Sequence, residues 1–140
     1  MIRRARESDA EAVTALLAQL DYPFGADEVR PVLGEVLADP AHVVLMAEED
    51  GDVVGFVNAH FRPQLHHLAP VGTIDELVVN SDRRGRRIGE RLVEEVLEEA
   101  RRRGADVMEV STHNRRERAG AFYRRCGFEA TSIKLVRLLR

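Results

Sequence analysis

The chain has 140 residues, an ordinary apolar fraction of 44% and a formal net charge of −3. That length supports one domain with a real core and leaves little room for a second, so residues 1–140 are expected to form a single domain. The slightly acidic balance argues against a general nucleic-acid binder, no stretch approaches the ~20 apolar residues of a membrane span, and the lone cysteine, Cys126, excludes an internal disulfide.

A cytoplasmic setting is therefore expected, and no apolar run follows Met1-Ile2-Arg3-Arg4 to suggest a signal peptide. Ile2–Ala5 reads as a short strand. Ser8 with Glu11 has the form of a capping box, after which Ala10, Val13, Leu16, Leu17 and Leu20 fall at helical spacing. This helix is expected to end near Leu20, before the turn-forming run Asp21-Tyr22-Pro23-Phe24-Gly25. Tyr22 and Phe24 stand out in an aromatic-poor chain; they either face a substrate or cap the core. Asp27 is placed as the cap of a second helix, with Pro31 in or near its first turn and a stop at Asp39-Pro40.

His42–Glu48 and Val53–Arg62 read as strands joined through Glu49-Asp50-Gly51-Asp52. The loop from Phe61 to Pro70 carries His66-His67. Adjacent residues of an extended chain point apart, and no Cys or His partner lies at ligand spacing. Surface or substrate-rim histidines are therefore expected, and no metal.

Val71–Val79 reads as a central strand, because Leu77, Val78 and Val79 are consecutively apolar. Asp75 and Glu76 interrupt it and are expected to point to opposite faces. Burying an ionised carboxylate is costly, so either one of them serves chemistry, or the pair is exposed or bonded to a neighbouring loop. Next comes Arg84-Gly85-Arg86-Arg87-Ile88-Gly89, followed by Glu90 in the amphipathic helix Ile88–Arg103. A glycine-containing turn at a helix N-terminus presents unpaired N–H groups to anions, and the clustered arginines suit several phosphates. The competing reading is a solvated basic turn. Gly104 closes that helix, Val107–Val110 is a short strand, and Thr112-His113-Asn114 opens a loop. Glu117–Cys126 reads as the last helix, and Phe128–Ala130 and Ile133–Leu139 as terminal strands. The alternation indicates an α/β or α+β domain with helices on the faces of a sheet.

The stretch Arg84–Gly89, placed after the fourth strand, resembles the acetyl-CoA signature of the GNAT superfamily of N-acetyltransferases. It departs from that pattern at Arg87, where the family usually has glycine. A second resemblance runs from Asn114 through Phe122-Tyr123 to Gly127-Phe128, in the same order as in the family. Within the superfamily, His66-His67-Leu68, Ile74–Val79 and Ser111-Thr112 are most similar to aminoalkylphosphonate and aminoglycoside 6′-type enzymes.

The resemblance implies a mixed, mostly antiparallel sheet of six to seven strands with about four helices on its faces. It implies acetyl-CoA as co-substrate, held by Leu77, Val78, Val79, Arg84, Gly85, Arg86, Arg87, Ile88, Gly89, Glu90, Asn114, Phe122 and Tyr123. Glu76 would handle the proton of the acceptor amine and Tyr123 would be the general acid. Tyr22, Phe24, His66, His67, Asp75 and Glu76 would meet the acceptor. Cys126 fits the core better than a nucleophile's position, which favours direct transfer to a primary amine of a small molecule. The alternatives are a protein N-terminal or lysine acetyltransferase, or a non-catalytic acyl-CoA-binding module. No nucleic-acid or membrane partner is expected, and a homodimer is compatible with the pattern.

Overall fold

The strands lie side by side in chain order. In the computed structural model, which describes residues 1–83, 87–112 and 117–140, the strands are β1 (Ile2–Arg4), β2 (His42–Glu49), β3 (Asp52–Arg62), β4 (Val71–Val79) and β5 (Val107–Val110). β1 to β4 pair antiparallel, and β4 pairs with β5 in parallel. The β2–β3 turn is tight because Asp50 and Gly51 both take left-handed backbone, with φ of 52° and 84°, as a type I′ hairpin turn requires. A parallel return to β5 cannot use a hairpin and crosses over through α3 (Ile88–Arg102).

Strand alternation divides the core into two layers. Phe56, Val44, Met46 and Val78 face α1 (Ala10–Ala18) and α2 (Ala26–Ala38), packing on Val13, Leu16 and Val29. Val43, Leu45, Val57, Ala59 and Ile74 face the other way, toward α3 and α4 (Glu117–Arg125). Leu92, Val93 and Val96 of α3 are fully buried there. Each such side chain is worth about 1.5–3 kcal/mol in area removed from water.

Three local expectations are corrected. Ser8 caps nothing visible and is exposed; the entry to α1 is a 3-10 turn at Glu7–Asp9, where the Arg6 N–H donates to Asp9 Oδ2 at 2.7 Å. The cap of α2 is Gly25, whose N–H donates to Glu28 Oε1 at 2.9 Å, while Asp27 sits exposed in the first turn. Pro31 lies in the second turn of α2, not the first. It is tolerated on the exposed side, where the carbonyl it leaves without an N–H partner can meet water.

The largest correction concerns the sheet, which has five strands among the described residues and not six to seven. Phe128–Ala130 and Ile133–Leu139 form no strands, and Ile133, Leu135, Val136, Leu138 and Leu139 are between 74% and 95% exposed. Residue preference alone does not make a strand; the backbone also needs a ladder to bond to, and β5 pairs only with β4 among the described residues.

An ion network anchors β1 and the start of α1. Arg3 forks onto Asp9, with Nη1 donating to Oδ2 at 2.9 Å and Nη2 to Oδ1 at 2.8 Å, and its Nε donates to Glu48 Oε1 at 2.7 Å. The Arg3 guanidinium holds the Asp9 carboxyl below the usual carboxylate range, despite burial that opposes this. A lowered carboxyl pKa adds stability above the ordinary value and loses it as pH falls through the folded value. Asp9→Asn is therefore expected to cost about 2 kcal/mol in urea unfolding at pH 7, a part-buried pair losing less than a fully buried one. The gap to the original protein should shrink in acid.

Candidate active site

The ladder between β4 and β5 begins at Val71 opposite Val107 and ends at Ile74 opposite Val110. Beyond it, β4 continues to Val79 with no strand on that side among the described residues. At the same point β4 bulges. Asn58 lies opposite Glu76 and Ala59 opposite Ile74, so Asp75 has no residue across from it on β3. A bulge of this kind breaks alternation and re-aims side chains.

The consequence corrects the expectation that Asp75 and Glu76 point to opposite faces. Asn58 Nδ2 donates to Glu76 Oε1 at 2.9 Å, and Asp75 Oδ2 lies 2.6 Å from His60 Nδ1. Asn58 and His60 are two apart on β3 and share a face, so both carboxylates reach the α1–α2 side of the sheet. His42 Nδ1 lies 3.1 Å from Asn58 Oδ1, and the His42 and His60 rings are 5.5 Å apart. His42, Asn58 and His60 were not singled out in the sequence. The available signal was Asn58 and His60 recurring at period two within the apolar β3 run.

A cleft of about 660 Å³ opens over this bulge. Val13, Leu17, Val29 and Leu33 of α1 and α2 form an apolar wall, and Asn58, Asp75 and Glu76 form a polar floor. Val110, Ser111, Thr112 and Tyr123 line it as well, so the cleft reaches the gap where β4 and β5 part. Its described lining contains carboxylates but no arginine, lysine or histidine. Glu76 is half-buried, and loss of water raises its carboxyl above the usual range, partly offset by the Asn58 hydrogen bond and reinforced by the neighbouring Asp75 charge. A carboxylate raised in this way is a better base near neutral pH than an exposed one.

Tyr123 comes from α4, is 9% exposed and borders the same cleft. Burial pushes its hydroxyl up to about 12. Its ring is edge-on to Phe122 and Phe128, with centroids 5.2 and 5.6 Å away. Tyr22 and Phe24 stack at 5.9 Å and 15°, stand about half exposed and contribute to the cleft lining, so they do not cap the core. His66 and His67 sit against each other in the β3–β4 loop, outside the described cleft lining. Leu77 lines the cleft, whereas Val78 belongs to the α1–α2 core and Val79 packs toward α3.

At the start of α3, Ile88 is buried and Gly89 meets Phe122. A Cβ on Gly89 would lie 3.2 Å from two ring carbons, so this glycine permits close packing between α3 and α4. Arg87 caps α3 in left-handed backbone, with φ 62° and ψ 20°. Its exposed guanidinium pairs with Glu90 at 2.9 Å. Arg84, Gly85, Arg86 and Asn114 lie outside the described residues. Cys126 packs against the α3–α4 core, where burial pushes its thiol up, opposite to the activation a nucleophile needs. Among the described residues, no three His, Cys, Asp or Glu side chains converge as a metal site, and no helix is long and apolar enough to cross a membrane.

Residues 8–128 match the model of the acetyltransferase (GNAT) family. The chain is 34% identical over 143 aligned positions to the aminoalkylphosphonate N-acetyltransferase of Salmonella typhimurium, covering 99% of this chain and 90% of that protein. Among solved structures, a transcriptional regulator from Bacillus halodurans superposes with a TM-score of 0.89 at 28% identity, over 99% of both chains. An aminoglycoside antibiotic 6′-N-acetyltransferase from Acinetobacter haemolyticus superposes with a TM-score of 0.86 over 100% of this chain and 97% of that one. Its 18% identity makes it a likeness of fold.

The left-handed Arg87 has a measurable cost. A side chain in that region is strained by about 1 kcal/mol or more, whereas an exposed ion pair such as Arg87–Glu90 returns less. Arg87→Gly is expected to raise the melting temperature by about 3 °C in calorimetry. An unchanged or lowered value would show that the strain is relieved elsewhere.

Proposed function

We propose that this chain, which belongs to the acetyltransferase (GNAT) family and is an acyltransferase, transfers an acetyl group from acetyl-CoA directly to the primary amine of a small molecule. The observation that carries this reading is the bulge at Asp75, which sets two carboxylates in the floor of a cleft that also reaches Tyr123. Beyond Ile74, β4 has no strand on its β5 side among the described residues, and the backbone groups there, offered to an extended ligand beside that cleft, suit a pantetheine arm. The α3 N-terminus, with Arg87, Ile88, Gly89 and Glu90, suits its pyrophosphate.

An acceptor ammonium resembles lysine, with a pKa near 10.4, so its deprotonation at pH 7 costs about 4.6 kcal/mol. Glu76 takes that proton, directly or through water, and its raised pKa brings it nearer the working range. Acetyl-CoA supplies the thioester whose carbonyl carbon the amine attacks and whose sulfur departs. Tyr123 directs its hydroxyl toward that sulfur and stays protonated at any ordinary pH. Its pKa of about 12 exceeds a thiol's ~8.5 by roughly 3.5 units, so full transfer of its proton to a free thiolate is uphill by about 5 kcal/mol. Tyr123 therefore acts chiefly by hydrogen bonding to sulfur as negative charge develops there. Asp75 and Glu76 attract the ammonium, and the α1–α2 wall, with Tyr22 and Phe24, receives the rest of a small acceptor.

Tyr123→Phe keeps the ring and is expected to lower kcat by ~10² while CoA affinity, measured by calorimetry, stays nearly unchanged. Glu76→Gln should lower kcat/KM most at neutral pH and recover as free amine accumulates in alkali. A raised carboxyl pKa also means that ionised Glu76 costs stability above that pKa, so Glu76→Gln should gain stability at neutral pH but not in acid. Glu76→Gln with the original rate and pH profile would remove the proposed base.

The relative's name makes aminoalkylphosphonates the first acceptors to try. CoA release is expected to be faster with small aminoalkylphosphonates or other compact amines than with peptides presenting an N-terminus or a lysine. A tenfold preference for peptides would shift the reading to protein acetylation, and CoA binding without turnover on any amine would leave a binding module.

A further inference from the structure

We propose, on the reading of Glu76 as the base, that Asn58 is its positioning residue and that His42 fixes the direction of the Asn58 amide. Among the described residues, Asp9 and Asn58 are the two buried polar or charged side chains. Arg3 accounts for Asp9. Nothing in the sheet calls for Asn58, because the β3 backbone is laddered to β2 on one side and β4 on the other. An apolar side chain would fill the site without the cost of burying an amide. What sets the position apart is the bulge. Asn58 is the last β3 residue before the register shifts, and it stands opposite Glu76.

The direction of the amide follows from its two partners. Asn58 Nδ2 donates to Glu76 Oε1 at 2.9 Å, and only the NH2 end can donate to an ionised carboxylate. That leaves Oδ1, which carries no proton, 3.1 Å from His42 Nδ1, so Nδ1 must be a protonated ring nitrogen there. Donation thus runs one way, from β2 through β3 to β4. Turned over, the amide would set its oxygen against the carboxylate and an N–H against an N–H, and both bonds would be lost. Other groups act on Glu76 from around it. Asp75 on its own strand disfavours its ionisation, whereas His42 and His60 favour it. Glu28 of α2 and Tyr123 of α4 line the same cleft, while α1 gives the described lining only apolar residues. Among the described residues, the hydrogen bond that reaches the Glu76 carboxylate is the one from Asn58, and it opposes the effect of burial.

The test reads Glu76 and His42 by NMR in the full chain, with isotope-labelled glutamate carboxyls and histidine rings. Glu76→Gln assigns the Glu76 signal and His42→Phe that of His42. In the original protein His42 is expected to keep its proton on Nδ1 in mild alkali. Asn58→Leu removes the donor at similar volume, with circular dichroism showing a retained fold. The Glu76 carboxyl should then titrate about one pH unit or more higher, the worth of a hydrogen bond to a charged group. His42 should shift its proton toward Nε2, and the acid limb of kcat/KM should move up with the carboxyl. Asn58→Asp still accepts from His42 but sets a like charge against Glu76, so it should raise the carboxyl further. His42→Phe leaves the amide in place but free to turn. It should raise the carboxyl by less, and it tests the chain of bonds even where neither Asn58 variant folds. A bare His42 Nδ1 in the original protein would overturn the proposal, as would a Glu76 titration unmoved by Asn58→Leu and His42→Phe. These signals are read without substrate, so that failure is distinct from loss of the base reading, which Glu76→Gln with the original rate would show.

Discussion

The parting of β4 from β5 is the constraint around which the molecule is arranged. Two parallel strands bonded along their whole length would close the sheet and leave no room for a ligand at its centre. Here the ladder stops at Ile74 and Val110, and the bulge at Asp75 bends β4 where it loses that neighbour. Glu76 gains its partner Asn58 from β3, while Tyr123 arrives from the opposite layer. Neither helix layer alone could bring these groups to one cleft; the gap in the sheet does so.

Electrostatics follow from that geometry. Asp75 and Glu76 share a face, so the Asp75 charge adds to burial in disfavouring ionisation of Glu76. Asn58 and His60 restrain the two carboxyl groups by separate hydrogen bonds. The described lining thus favours a positively charged visitor with an apolar body. This is a property of the cleft itself, and it stands apart from what any relative is named for.

The sequence made the elements legible but not their cross-strand relations. Val71–Val79 and the start of α3 at Ile88 appear where the apolar pattern placed them, because both are buried runs with strong periodicity. Glu76 and Tyr123, both candidates from the sequence, border one cleft. The bulge was not legible, because no local pattern distinguishes nine regular strand residues from nine with one unopposed. His42, Asn58 and His60 escaped notice for a related reason: their meaning depends on the register of three strands. The terminal strands failed differently. Ile133–Leu139 has strand-forming residues, but strand formation requires an available ladder, which is a property of the whole fold.

The unequal lengths of the ladders also divide the molecule by rate of opening. β2, β3 and β4 follow one another in the chain and are bonded along most of their length, whereas β5 is held by four residues at one edge. Amide hydrogens on the meander should therefore exchange only with global unfolding, and those of β5 through cheaper local fluctuations. The cleft straddles that boundary. One wall is as durable as the fold itself, and the other can breathe without the rest, so a bulky ligand can enter without unfolding the strands that carry Asn58 and Glu76.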